Sequence, residues 1–167
     1  MKKGDGNVAE IVLARIDARL IHGQIYALWC AGTKADVIAV ADDDTAASSF
    51  QQSLMDMAVP AGVKTVYVSL PEAKEVLEDL KEERIFLITA SPENLLTLLE
   101  NGLSVSECVI GNMPMAEGKH QITPAAAVDE NDIHALKRIR DYGCALSIRK
   151  LPGDIGEDIS LLLEEEV

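Results

Sequence analysis

An open, mostly parallel α/β sheet with helices on both faces is the architecture this sequence predicts, and three observations carry the prediction. Segments patterned as buried strands alternate with segments patterned as helices from one end of the chain to the other, as expected for parallel strands joined by crossover helices. Apolar residues make up 48% of the chain but aromatic residues only 4%, so the core is built from Ala, Val, Ile and Leu layers. The length of 167 residues suffices for one well-packed core and is short for two. No internal repeat, low-complexity run or interdomain linker divides the chain.

The first strand is read over Ile11 to Ala14, where aliphatic residues follow one another without polar alternation. A helix is expected from Gly23 to Thr33, with Ile25, Leu28 and Trp29 on one face. Val37 to Ala41 reads as the second strand, and Asp42-Asp43-Asp44-Thr45 as the turn and cap of a helix from about Ala46 to Ala58. Phe50, Leu54 and Met57 form its apolar stripe. Consecutive carboxylates point in different directions and no His or Cys accompanies them, so a solvated cap is favoured there over a metal site. Pro60-Ala61-Gly62 closes the helix, and Lys64 to Ser69 is the third strand. Pro71 opens a helix carrying Val76, Leu77 and Leu80, and Ile85 to Thr89 is the fourth strand. Ser91-Pro92-Glu93 puts a cap, a first-turn proline and a first-turn acid in their preferred places, and Asn101-Gly102 ends that helix. Cys108 to Ile110 is a short fifth strand. Asp129 with Asp132 starts a helix to Tyr142 with Ile133, Leu136 and Ile139 inward and His134 at the surface. Cys144 to Lys150 alternates apolar and polar residues like an edge strand with one wet face, and an amphipathic helix follows Pro152-Gly153.

The formal net charge of −13 disfavours a nucleic-acid partner, which such a surface repels. It also means that any anionic ligand must be drawn in by local positive charge. Three cysteines, Cys30, Cys108 and Cys144, are odd in number, widely spaced and set among apolar residues, so they read as small buried hydrophobes. With no signal peptide and no apolar run near the length of a membrane span, a cytoplasmic protein is expected. Residues 1–7 read as a disordered lead, leaving 8–167 as a single domain.

The chemistry concentrates in Arg15-Ile16-Asp17-Ala18-Arg19-Leu20-Ile21-His22-Gly23-Gln24, expected as a loop at the carboxyl end of the first strand, where open α/β sheets place ligands. His22 is a nucleophile or proton carrier that works near neutral pH. Arg19 offers a planar, permanently charged fork for phosphate oxygens, and Asp17 can hold either one. Gly23 lets backbone N–H groups approach a ligand, and the following helix aims its positive end at an anion. On residue types alone, a loop histidine capping the helix beside an Asp17–Arg19 ion pair is an equally good account. The irregular stretch from Asn112 to Thr123 leaves a similar choice. Asn112, Gly118 and Lys119 line one side of a phosphate or sugar site, or Lys119 and His120 sit in a solvent-exposed hairpin.

Ala14-Arg15-Ile16-Asp17 followed by Arg19-Leu20-Ile21-His22-Gly23-Gln24 resembles the signature of the IIB component of mannose/fructose/sorbose-type sugar phosphotransferase systems. Trp29, Ala58-Val59-Pro60-Ala61-Gly62-Val63, Gly111-Asn112-Met113, Glu117-Gly118-Lys119 and Ala127 to Ile133 recur in family-like order, so the likeness runs from about Val8 to about Asp158. Two departures stand out: Ala18 where the family usually has a second Asp, and Pro114 where a small residue is more usual.

The resemblance implies a phosphoryl carrier in which His22, Arg19 and Asp17 are catalytic, with Gly23, Gln24, Asn112 and Lys119 around the substrate. The donor it implies is a phosphohistidine on a IIA domain. The acceptor is a hexose presented by membrane IIC and IID components, with which the protein associates peripherally. No metal or other cofactor is called for, because phosphorus arrives on nitrogen and leaves to oxygen without a nucleotide. Oligomeric state, homo-oligomer included, is left open. The rival reading is a phosphorylatable regulatory or metabolite-binding module that has lost sugar transfer. A nucleotide-binding α/β protein is disfavoured, since neither G-x-G-x-x-G nor a P-loop follows any strand.

Overall fold

The computed structural model describes residues 10–23 and 25–165, so the expected disordered lead and Gln24 lie outside the described residues. The strands are β1 (Glu10–Asp17), β2 (Val37–Ala41), β3 (Lys64–Val68), β4 (Arg84–Thr89), β5 (Glu107–Asn112), β6 (His120–Thr123), β7 (Ala126–Val128), β8 (Ala145–Ile148) and β9 (Glu157–Asp158). The helices are α1 (Ile25–Thr33), α2 (Asp43–Ala46), α3 (Ser49–Asp56), α4 (Ala73–Glu78), α5 (Pro92–Glu100), α6 (Glu130–Asp141) and α7 (Ser160–Glu165). Seven strands make one sheet in the order β3-β2-β4-β1-β5-β8-β9, parallel except for the last pair, and β6 and β7 form a separate antiparallel hairpin. This is the predicted single-domain α/β architecture. No described helix is long and apolar enough to cross a membrane.

Both faces of the sheet are covered. Ala14, Ile16, Ala39, Ile85 and Leu87 pack with Leu77, Leu98, Leu136 and Leu163 of α4 to α7, while Leu13, Ile38, Val40, Phe86 and Ile88 pack with Tyr26 and Trp29 of α1 and with Met55 of α3. One irregularity in β1 matters for everything that follows. Ile11 pairs with Ile85 and Leu13 with the next residue, Phe86, so Val12 is an extra residue in the strand. A one-residue insertion turns every later side chain to the other face. Ile11 therefore packs on the α4–α7 side and Leu13 on the α1 side. Arg15 and Asp17, two and four residues on, follow Leu13 toward α1 by the two-residue period of a strand.

Several expectations need correction. β1 continues through Asp17, so the first half of the motif is strand and not loop. It is strand because Arg15 and Ile16 pair on both sides, with Ile88 and Thr89 of β4 and with Val109 and Ile110 of β5. The expected helix from Ala46 is two helices broken at Ala47-Ser48, with Ser48 Oγ accepting from Gln51 N at 3.2 Å. Its apolar stripe faces outward: Phe50, Leu54 and Met57 are 71%, 53% and 83% exposed. Polar anchors set that rotation, since Gln52 Nε2 donates to Thr45 O at 2.9 Å and Tyr67 Oη to Asp56 Oδ1 at 2.6 Å. Among the described side chains of α1, Tyr26, Trp29 and Cys30 are buried and Leu28 is exposed. β8 lies next to the edge and the two residues of β9 form it.

Elsewhere local signals and structure coincide. Asp42 caps α2 by accepting from Thr45 N, Ser91 caps α5 by accepting from Asn94 N, and Asp129 and Asp132 form the capping box of α6. All three cysteines are buried, and burial pushes the Cys30 thiol up to about 11 and the Cys144 thiol up to about 12. These thiols are inert packing groups.

Candidate functional site

The site is assembled at the carboxyl end of β1, around a carboxylate with no exposed surface. Asp17 Oδ2 accepts from His22 Nε2 at 3.1 Å and from Tyr26 Oη at 3.0 Å, and Oδ1 accepts from Arg19 N at 2.9 Å. Two guanidinium groups flank it: Arg15 Nε lies 3.7 Å from Oδ2 and Arg19 Nε 3.8 Å from Oδ1. The sequence reading had Asp17 holding either the guanidinium or the imidazole, and its carboxylate lies against both.

A tight backbone turn brings His22 back onto Asp17. Leu20 N donates to Asp17 O at 2.9 Å, and Leu20 itself takes a left-handed conformation (φ 59°). For a non-glycine residue that conformation costs on the order of 1–3 kcal/mol and persists only where the surroundings impose it; here the Leu20 side chain is buried against the α1-side core. Gly23 is also left-handed (φ 62°), and an added Cβ would meet no atom within 4 Å, so glycine serves conformation rather than space. On the other flank, Ala18 N donates to Asn112 O at 3.0 Å, tying the loop to the end of β5. Ala18, the family departure, is solvent-exposed and contributes this backbone N–H.

Histidine geometry follows from the carboxylate. With Nε2 facing the Asp17 carboxylate, the neutral imidazole places its proton on Nε2 and its lone pair on Nδ1. Nδ1 has no hydrogen-bond partner among the described residues, and the side chain is 28% exposed. Tyr26 meets the imidazole edge-on, with ring centroids 5.6 Å apart. Burial first, and then the Asp17 charge, push the Tyr26 phenol well above its ordinary range, so it remains a proton donor to Asp17.

Two residues of this group were missed by the sequence reading, Tyr26 and Arg15. Tyr26 is the second residue of α1, and its hydroxyl shares Asp17 Oδ2 with the His22 imidazole. Arg15 looked like a loop cation, yet only 3% of it is exposed. Its guanidinium lies 5.7 Å from the Tyr26 ring centroid and 5.2 Å from that of Trp29, and its Nε and Nη1 have no hydrogen-bond partner. A buried cation beside a buried anion is retained only where each compensates the other's lost hydration. Gly111 makes the room. It is the extra residue of β5, between the pairs Ile16–Ile110 and Asp17–Asn112, and a Cβ there would sit 2.3 Å from Arg15 Cζ. Gly111→Ala should therefore displace the guanidinium and lower stability by about 1–3 kcal/mol. A thermal melt checks this; an unchanged melt contradicts the packing described.

Lys119 is engaged by the start of α6. Its Nζ is 2.5 Å from Asp132 Oδ2 and 3.9 Å from Asp129 Oδ2, inside the α6 capping box. The Asp132 hydrogen bond raises the Lys119 pKa, and the Asp132 backbone N–H holds the Asp129 carboxyl below its usual range. The irregular stretch contains a hairpin, but β7 is buried and Lys119 precedes β6 in an ion pair with Asp132, so it is not the solvent-exposed turn that one of the two sequence readings expected. Met113 fastens it to the end of β5: its N donates to Ala125 O at 2.9 Å and its O accepts from Ala127 N at 2.8 Å. Asn112 reaches the His22 loop through its backbone carbonyl.

A buried carboxylate that fixes one histidine nitrogen and frees the other, beside an exposed arginine, suits transient capture of a phosphoryl group. Comparison with known proteins points the same way. The family model described as PTS system sorbose subfamily IIB component matches residues 11–167. The chain is 31% identical to the PTS system sorbose-specific EIIB component of Lacticaseibacillus casei, over 93% of this chain and 96% of that protein. It is 34% identical to the PTS system mannose-specific EIIAB component of Escherichia coli (strain K12), over 90% of this chain but 47% of that longer protein. Among solved structures, the IIBSor domain of the sorbose permease from Klebsiella pneumoniae superposes with a TM-score of 0.88 at 32% identity, covering 95% of this chain and 98% of that one.

Proposed function

The chain belongs to the sorbose subfamily of phosphotransferase-system IIB components, and from that premise we propose that His22 takes a phosphoryl group onto Nδ1 and passes it to a hexose. The observation that carries this reading is the His22 Nε2–Asp17 hydrogen bond, which leaves Nδ1 as the nucleophile. The donor is a phosphohistidine on a IIA domain; the EIIAB name of the E. coli relative, in which this chain matches 47%, supports a IIA partner.

In the first step the Nδ1 lone pair attacks phosphorus in line, and the donor's P–N bond breaks with its electron pair returning to the donor imidazole. Phosphoryl transfer asks the protein mainly for position and charge. Arg19, 60% exposed, binds the equatorial oxygens as a planar fork. Positive charge that develops on the His22 ring is shared through Nε2–H with Asp17, and Arg15 and Tyr26 hold that carboxylate still. In the second step a sugar hydroxyl attacks the phosphorus, the P–Nδ1 bond breaks toward His22, and the hydroxyl proton is lost to water.

The hydroxyl is supplied by IIC and IID membrane components, with this protein on the cytoplasmic side as their peripheral partner. The carboxylate and aromatic ring against His22, Asp17 and Tyr26, are fully buried, so the described residues around it offer a phosphoryl cradle rather than an exposed grip for a hexose. Purified protein incubated with phosphorylated IIA is therefore expected to accumulate an acid-labile phosphoprotein. Sugar phosphate should form only when membranes containing the IIC and IID partners are added. Sugar phosphate made by the purified protein and donor alone contradicts the proposed division of labour.

A further inference from the structure

Asp17 meets His22 on an oxygen that it shares with another donor. Oδ2 faces His22 Nε2 at 3.1 Å and accepts from Tyr26 Oη at 3.0 Å, while Oδ1 accepts from Arg19 N at 2.9 Å. Arg15 and Arg19 add positive charge at 3.7 Å and 3.8 Å. A hydrogen bond to a carboxylate favours its ionised form and so weakens its pull on the next proton. The Tyr26 hydroxyl therefore competes with the imidazole for one acceptor.

That competition is built in. Burial first, and then the Asp17 charge, keep the phenol protonated well beyond its ordinary range, so it stays a donor. Neither Tyr26 nor Asp17 has exposed surface, so bulk water does not stand in for the hydroxyl. Arg15 does not stand in for it either. Its guanidinium packs against the Tyr26 and Trp29 rings, 5.7 Å and 5.2 Å from their centroids, and leaves Nε 3.7 Å from Oδ2 without a hydrogen-bond partner.

The consequence falls on the loaded ring. A phosphoryl group on Nδ1, with the proton kept on Nε2, leaves positive charge on the imidazole, and Asp17 supports that charge through Nε2–H. When the P–Nδ1 bond breaks, its electron pair returns to the ring and the charge disappears. Support from Asp17 thus favours the loaded state over the discharged one. We infer that Tyr26 sets how readily His22 gives its phosphate up, by occupying Oδ2 and limiting the support that Asp17 lends the phosphorylated ring. Tyr26 acts through Asp17, as a positioning residue. The inference rests on the reading of His22 Nδ1 as the phosphoryl acceptor.

Phosphoryl exchange with the IIA donor tests this without sugar or membranes. The unaltered protein, Tyr26→Phe and Tyr67→Phe are each mixed with labelled phospho-IIA at one pH. The share of label on each protein at equilibrium is measured, then the rate at which the isolated phosphoprotein returns it to excess unlabelled IIA. Tyr26→Phe keeps the ring beside Phe86, at a centroid distance of 6.0 Å, and removes only the hydroxyl. Its equilibrium should shift toward the phosphorylated protein by about three- to tenfold, the scale of one hydrogen bond, and return should slow. Tyr67 donates to a different carboxylate, Asp56 Oδ1 at 2.6 Å, so Tyr67→Phe should match the unaltered protein. A 3-fluorotyrosine in place of Tyr26, a stronger donor of nearly the same size, should move the equilibrium the other way, a reversal that a packing role does not produce. The inference is overturned by an unshifted equilibrium in folded Tyr26→Phe, by a shift there toward the donor, or by a fluorotyrosine protein that is unshifted or favours the phosphorylated form. Should Tyr26→Phe fail to fold, the fluorotyrosine protein decides alone. Absence of label on the unaltered protein would overturn the carrier reading itself, and this inference with it.

Discussion

Asp17→Asn is expected to lower phosphoryl transfer by roughly 10³–10⁴-fold, the scale on which a wrongly held imidazole tautomer loses activity. The reason is a count of donors. Three groups donate to Asp17, two of them to Oδ2 and one to Oδ1. An amide has one accepting oxygen and one donating nitrogen. If its oxygen faces His22 and Tyr26, its nitrogen meets the Arg19 N–H head on. If it flips, His22 must turn its lone pair toward the amide, and the free nitrogen becomes the protonated one. The substitution also leaves Arg15 buried without its anion, so stability should fall by about 3–5 kcal/mol. Transfer kinetics at a temperature well below the melt separate the two effects. A folded Asp17→Asn protein that transfers phosphate within tenfold of the unaltered rate contradicts the role assigned to this carboxylate.

Arg15→Met should also destabilise the protein, by up to about 3–5 kcal/mol, because it removes the buried cation beside Asp17 and leaves the carboxylate to its three hydrogen bonds and the exposed Arg19. The informative experiment is the double variant. When both charges are removed, neither is left uncompensated, and Met fills the space against Tyr26 and Trp29 with a flexible apolar chain. Arg15→Met with Asp17→Asn should therefore be more stable than the sum of the single changes allows, with a coupling of about 1–3 kcal/mol. Transfer should stay at the Asp17→Asn level, since the imidazole remains wrongly held. Additive melts would mean that Arg15 and Asp17 do not compensate each other across their 3.7 Å separation. Recovered transfer in the double variant would mean that Asp17 matters to packing and not to His22.

What could be read from the sequence was what local chemistry decides. The Ser91-Pro92 start of α5 and the Asp129–Asp132 box of α6 are complete within four residues, and both are present as expected. Strand and helix alternation similarly follows from runs of aliphatic residues, and the His22–Asp17 contact was within reach because both residues stand in one short motif. What could not be read depends on distant partners. Periodicity showed that Phe50, Leu54 and Met57 share a face of a helix, but Gln52 and Asp56, through Thr45 and Tyr67, decide that this face meets solvent. Arg15 belongs to a buried strand only because β4 and β5 pair on either side of it, and it points at α1 only because Val12 is inserted four pairs from the strand end. Lys119 looked like a phosphate ligand by type, yet Asp129 and Asp132 of the following helix lie within its reach.

The central claim is that His22 is the phosphoryl acceptor and that Asp17 reserves Nδ1 for the task. Nuclear magnetic resonance of protein labelled with ¹⁵N-histidine, phosphorylated by its IIA donor, tests it most directly, because phosphorus–nitrogen coupling identifies the ring nitrogen that carries phosphate. A single phosphoramidate on His22 Nδ1 is predicted, with Nε2 still protonated toward Asp17 and with His120 and His134 unmodified. Phosphate on His22 Nε2, or on any other residue of the folded protein, would contradict the account.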